Sequence, residues 1–143
     1  MRLAFAEDAS RESADRVRRS TPMHLNRQID LQTDANIARY CAKGSTSILH
    51  RIEDLDREWD IERVLELNAS TLALSGLVLG LTVDRKWLAL PAIVLPFLLQ
   101  HALQGWCPPL PLLRRMGVRT RGEIDREKYA LKARLEEGEA FQA

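Results

Sequence analysis

Two long apolar runs interrupt an otherwise polar, amphipathic chain. From Leu67 to Val83 no residue is formally charged for 17 positions, and from Trp87 to Leu113 no Asp, Glu, Lys or Arg occurs for 27. Only the short link Asp84-Arg85-Lys86 separates them. At about 1.5 Å per helical residue the first run spans roughly 26 Å, slightly short of an average hydrocarbon core. Pro108, Pro109 and Pro111 should end the second helix near Trp106. The pattern therefore predicts a transmembrane helical hairpin over residues 64–106. The competing reading is a soluble helix pair inside a bundle, which Asn68, Ser70, Thr71, Ser75, Gln100, His101 and Gln104 keep open. Nothing else in the chain, however, is apolar enough to bury two such helices on all sides.

The flanks show a different periodicity. Residues 1–20 carry charges of both signs and little to bury, and read as a disordered arm; Leu3 to Ala6 run straight into Glu7 and Asp8, too short for a signal-peptide core. Residues 21–63 read as a cytoplasmic helical region. Thr21-Pro22 predicts a helix start with Thr21 as N-cap, Gly44 a left-handed stop after Lys43, and Leu25, Ile29, Ile37 and Tyr40 a thin apolar stripe. A second amphipathic helix follows, with Ile48, Leu49, Ile52, Leu55 and Trp59 spaced by three and four. Asp60 either caps a fresh helix or lies within one helix running from Ser47 to Val83. Residues 107–143 hold an exit motif and a C-terminal helix over about Arg121–Glu137, opened by a Thr120–Glu123 capping box. The fold class is all-α: a two-helix transmembrane hairpin with flanking cytoplasmic amphipathic helices.

Composition makes sense only when split. Mean hydropathy is −0.25 and 29 % of residues are charged, but the charges lie almost entirely outside the hairpin. A net charge of +1 argues against a nucleic-acid partner. Cys41 and Cys107 form no CxxC or metal-ligand spacing, so the expectation is free thiols, no metal and no cofactor. Residues 51–66 carry net −4 and residues 114–134 net +5, and the hairpin brings these segments to one membrane face. They should pair with each other, in cis or in trans, unless the basic helix goes to anionic lipid.

Inside the hairpin, Ala69, Ala73, Gly76 and Gly80 form a face of small side chains, the last two a GxxxG pair. Such a face packs helices closely in lipid. It serves either a homodimer or the chain's own second helix. With the turn centred between Arg85 and Lys86, residues at equal depth have numbers summing to about 171. Asn68, Thr71, Gln100 and Gln104 should then form an intramembrane polar cluster that His101 could join, each side chain satisfying another where no water is present. Eight arginines flank the crossings, Arg114, Arg115, Arg119 and Arg121 among them, against Arg85 and Lys86 in the link. The positive-inside rule places both termini in the cytoplasm.

At the end of the second crossing stands Gly105-Trp106-Cys107-Pro108, followed by Arg114-Arg115-Met116-Gly117-Val118; the first crossing opens with Ile61-Glu62-Arg63-Val64-Leu65. In order and spacing these residues resemble the YgaP-like bacterial inner-membrane family, over about Ile61 to Val118. The resemblance implies an inner-membrane hairpin that forms homodimers. Relatives of that family often carry a rhodanese domain, but the region before Ile61 has no cysteine loop of that kind, so sulfurtransferase activity is not carried over. Cys107 matches the motif cysteine. A non-enzymatic scaffold contacting lipid, a second copy and an unidentified protein partner fits every segment. A thiol or sulfur relay through Cys107 is the alternative, since Arg114 and Arg115 nearby would favour thiolate, although a helix C-terminus opposes an anion. A small transporter ranks last because Glu66 is the only acid near the crossings and stands at the edge. No nucleotide loop or catalytic triad appears.

Overall fold

A computed structural model of the chain describes residues 16–142, with side chains through residue 138. The described elements are helical: α1 (Arg16–Arg19), α2 (Met23–Lys43), α3 (Ser45–Arg57), α4 (Ile61–Thr82), a 3-10 turn (Arg85–Leu88), α5 (Ala89–Gln104), α6 (Leu110–Arg115) and α7 (Arg121–Gln142).

Amphipathic stripes explain the cap. Ile48, Ile52 and Leu55 of α3 meet Ile124 and Leu131 of α7, with Ile37, Tyr40 and Cys41 of α2 packed against them. Gly44 adopts φ +91°, which turns the chain from α2 directly into α3. The predicted cap at Thr21 is corrected: α2 starts at Met23, and the Thr21 hydroxyl donates to the Val17 carbonyl (2.6 Å) instead of capping α2. Residues 16–20 are likewise not part of a disordered arm. Val17 is buried against Ile61, Leu65, Cys107 and Leu110, because this short turn supplies the apolar side chain that closes a second core at the base of the hairpin. The remainder of the expected arm, residues 1–15, lies outside the described residues.

The question of one helix or two is resolved by Asp60. Glu58 is extended and ends α3, and the Asp60 carboxylate accepts from the Arg63 N–H (2.9 Å), so α4 starts afresh at Ile61. The Ile61 N–H donates to the Arg119 carbonyl (2.9 Å), which fastens the foot of α4 to the start of α7.

The hairpin itself is thinly packed. α4 and the 20 residues from Arg85 to Gln104 are long and apolar enough to cross a membrane, yet only 17 % and 6 % of their most apolar stretches are buried within the chain. Leu74, Leu81, Ile93, Leu99 and Leu103 are among many exposed apolar side chains. Contact between the two helices runs along the small face: a Cβ on Gly76 would lie 2.5 Å from Pro91 Cδ, and one on Gly80 2.5 Å from Leu88 Cδ2. Ala69 is buried and Ala73 half-buried on the same side. The Gly76–Gly80 part of the small-residue face is therefore occupied by the chain's own 3-10 turn and second helix.

Candidate functional site

The chemistry-bearing residues collect where the hairpin meets the cap. α5 ends at Gly105, which has a φ of +74°; a Cβ there would lie 2.5 Å from the Arg16 backbone, so the position admits only glycine. Here α1 acts as a lid on the last turn of α5. Arg16 Nη1 donates to the Ala102 carbonyl (2.6 Å) and the Ser20 hydroxyl to the Gln104 carbonyl (3.0 Å), filling acceptors a helix end otherwise leaves bare.

The exit turn then carries Cys107 inward. It is 4 % exposed among Val17, Ile61, Leu65 and Leu110. Burial pushes its thiol above the ordinary value; the Leu110 backbone N–H opposes this, and the Glu62 charge adds to it. The arginines expected to favour thiolate do not prevail, because Arg114 is engaged elsewhere.

Beside Cys107 a cavity of about 450 Å³ opens between α4 and α5, lined by Leu65, Asn68, Ala69, Phe97, Leu98 and His101 among others. His101 is 4 % exposed, and its Nε2 lies 2.8 Å from the Glu62 carboxylate, joining the foot of α4 to the end of α5. The expected polar cluster is not assembled. Asn68 donates to the Val64 carbonyl one turn back (2.8 Å), Thr71 is exposed, and Gln100 reaches only Gln104 on its own helix (3.4 Å). The reason is register. Gly76 faces Pro91, Gly80 faces Leu88 and Glu62 faces His101, so partners' numbers sum to 163–168 and not 171. The 3-10 turn begins right after Asp84, which shifts α5 against α4 by three or four positions beside Gly80 and Gly76 and by eight beside Glu62, and sets Asn68 beside Phe97 and Leu98 in the cavity wall.

Below the hairpin lies a lattice of ion pairs, buried at Arg114, Arg119, Glu123 and Glu127 and exposed at its edge. Arg114, 1 % exposed, makes a two-pronged pair with Glu123 (2.7 and 2.7 Å) and donates to Asn26 (2.7 Å). Glu123 also accepts from Arg18 (2.7 Å) and from the Thr120 N–H (2.8 Å), the latter completing the capping box. Arg119 bridges Glu58 and the fully buried Glu127, which Arg51 also holds (2.7 Å). Lys128 pairs with Asp56, and Arg126 with Asp30 and Asp34 of α2. Burial pushes the Glu123 and Glu127 carboxyls up, but the hydrogen bonds and charges of their arginines outweigh it, and both lie below the ordinary carboxylate range. The acidic and basic segments thus pair within one chain.

Arg114 and Arg119, counted above among the flanking arginines, are core residues. Arg115 is exposed, and Arg121 pairs at the surface with Asp125 (3.3 Å). Sequence reasoning assigned no role at this site to Glu62, Arg18, Asn26 or Glu127; the opposite net charges of residues 51–66 and 114–134 were the available signal for Glu127. No family model, curated protein or solved structure matches this chain.

Proposed function

We propose that this chain is a small integral protein of the bacterial inner membrane, a YgaP-like hairpin without a rhodanese domain, working as a non-enzymatic scaffold that holds a cytoplasmic helical cap at the membrane face. One observation carries the reading. Two membrane-length apolar helices leave most of their apolar surface uncovered by the chain, whereas the cap closes a core of Ile48, Ile52, Leu55, Ile124 and Leu131. Monomeric soluble proteins rarely expose a continuous apolar surface of that size.

The buried thiol, raised above its ordinary value, supports a packing role for Cys107 over a relay. Self-association, if the scaffold is a homodimer, uses a face other than Gly76–Gly80. Both termini lie in the cytoplasm, by the arginines that flank the crossings. Alkaline extraction of isolated membranes tests the location, and fluorescent-protein fusions at either end test the orientation. Retention in the pellet with fluorescence from both fusions is expected. Release into the soluble fraction would overturn the membrane reading, and a dark C-terminal fusion the orientation.

A further inference from the structure

We infer that the cavity beside His101 binds a membrane-soluble molecule with an apolar body and one hydroxyl donor, of the alkylphenol class. The inference rests on the membrane reading only for the route by which such a molecule arrives.

His101 sets the polar requirement. Its Nε2 lies 2.8 Å from Glu62 Oε2, and a carboxylate only accepts, so Nε2 carries the proton. On the neutral imidazole Nδ1 is then a bare acceptor. It is buried and has no hydrogen-bond partner. A buried acceptor left unpaired is costly, and the groups nearby do not relieve it: the Asn68 amide donates to Val64 and makes no bond to His101, and Cys107 offers only a weak S–H donor.

The walls set the rest. Apart from His101, Asn68 and Cys107 the lining is hydrocarbon, with Phe97 offering a ring for stacking. A volume of about 450 Å³ holds roughly fifteen groups of water size at about 30 Å³ each, enough for a hydroxylated ring with a short alkyl tail. Leu72, Ile93 and Phe97 line the cavity and are also exposed on the outer apolar surface, so its mouth opens onto that surface, with the exposed Pro108 and Pro109 of the exit turn at its lower rim. An apolar molecule would enter from the lipid side, tail trailing, and donate its O–H to Nδ1.

The test compares 4-pentylphenol with its methyl ether, which has the same shape and no donor. The full chain, labelled with ¹⁵N-histidine, is titrated in phosphatidylcholine nanodiscs and followed by the His101 Nδ1 resonance, assigned with His101→Leu. Saturable phenol binding, about tenfold tighter than the ether and accompanied by a shift of Nδ1, is expected. His101→Leu should erase the preference. Glu62→Gln should keep it, since the Gln carbonyl still accepts from Nε2. Leu98→Trp should abolish saturable binding while helix content and thermal midpoint stay at the wild-type values. Equal affinity for phenol and ether, non-saturable partitioning that Leu98→Trp leaves unchanged, or a static Nδ1 resonance would each overturn the proposal, leaving water or another protein's helix as the filler of the cavity. Alkaline extraction is run on the same preparation. A chain that proves soluble ends the membrane reading alone, and the titration repeated in buffer still decides the cavity.

Discussion

Replacing Glu123 removes the carboxylate that Arg114 contacts directly. Arg114 is 1 % exposed, and its guanidinium makes both of its charged contacts to Glu123, at 2.7 Å each. The neutral acceptors left after Glu123→Gln are the Asn26 amide oxygen (2.7 Å) and the Val118 carbonyl (3.2 Å), while Arg114 Nε is already buried without a partner. Breaking a buried pair by deleting one member costs about 3–5 kcal/mol, since the surviving charge stays desolvated. Glutamine keeps one oxygen for the Thr120 N–H and for one arginine, which puts Glu123→Gln near the lower end, about 3 kcal/mol. Glu123→Ala also removes the capping acceptor, worth about 1 kcal/mol, for a total of about 4. At roughly 3–4 °C per kcal/mol for a chain of this size, thermal unfolding of the detergent-solubilised protein, followed by helical circular dichroism, should drop by about 10 °C and about 14 °C. The exposed pair Arg134–Glu137 (3.0 Å) is the internal control: Glu137→Gln should change stability by less than about 0.5 kcal/mol. If Glu123→Ala lowers the midpoint by less than about 3 °C, the lattice is not what holds the cap together and the reasoning fails.

Three further outcomes follow from the same geometry. Gly76→Leu drives side-chain atoms into Pro91 and Leu90, whose atoms lie 2.5 and 2.9 Å from a mere Cβ; overpacking should cost about 1–3 kcal/mol in thermal stability while the oligomer mass by light scattering stays at its wild-type value, and a wild-type-stable variant that has lost a dimer would restore the homodimer reading of that face. Cys107, buried and with its thiol pushed up, should react with maleimide at neutral pH at least about tenfold more slowly than half-buried Cys41, the two rates converging in denaturant; equal rates in the folded protein would reopen the thiol relay. Glu123 and Glu127 have folded pKa values below the ordinary 4.5, so their contribution is fully present above about pH 4.5 and is lost as pH falls through the lower folded values. Midpoints measured between about pH 7 and about pH 3 should stay level to about pH 5 and then decline; a midpoint unchanged at about pH 3 would contradict the assignment.

What the sequence disclosed about the fold depended on how local the determinant was. The capping box at Thr120 and Glu123, the stop at Gly44 and the Ile48, Ile52 and Leu55 stripe of α3 are each written within a few residues and emerge as expected, whereas Leu49 and Trp59 of the same predicted stripe are exposed, Trp59 beyond the end of α3. Two membrane-length apolar helices were visible from length alone. The register of the hairpin was not, because it depends on where the 3-10 turn starts. A shift of a few residues there was enough to separate Asn68 from Gln104 and to pair His101 with Glu62. Val17 was missed for a related reason: one apolar residue in a charged segment has no periodicity, and only the close approach of Arg16 to Gly105 gives it a place.

The arginines show how far one residue type can mislead. Arg114 and Arg119 sit where a positive-inside count expects charge, and the sequence offers no local sign that they are buried. Their partners lie far along the chain or across a helix turn: Glu58 is 61 residues from Arg119, and Asn26 is 88 from Arg114. Once paired, these guanidinium groups have little charge to offer a lipid surface, since Glu123, Glu58 and Glu127 already accept from them. If these arginines orient the hairpin as proposed above, that role must be exercised while the chain inserts, before the cap closes over the base of the hairpin, and the structural role afterwards. The same residues can serve both because the two demands are separated in time. A Glu123 variant that loses the cap while keeping its orientation is what this separation requires, whereas loss of orientation together with stability would mean that the folded lattice itself fixes the hairpin in the membrane.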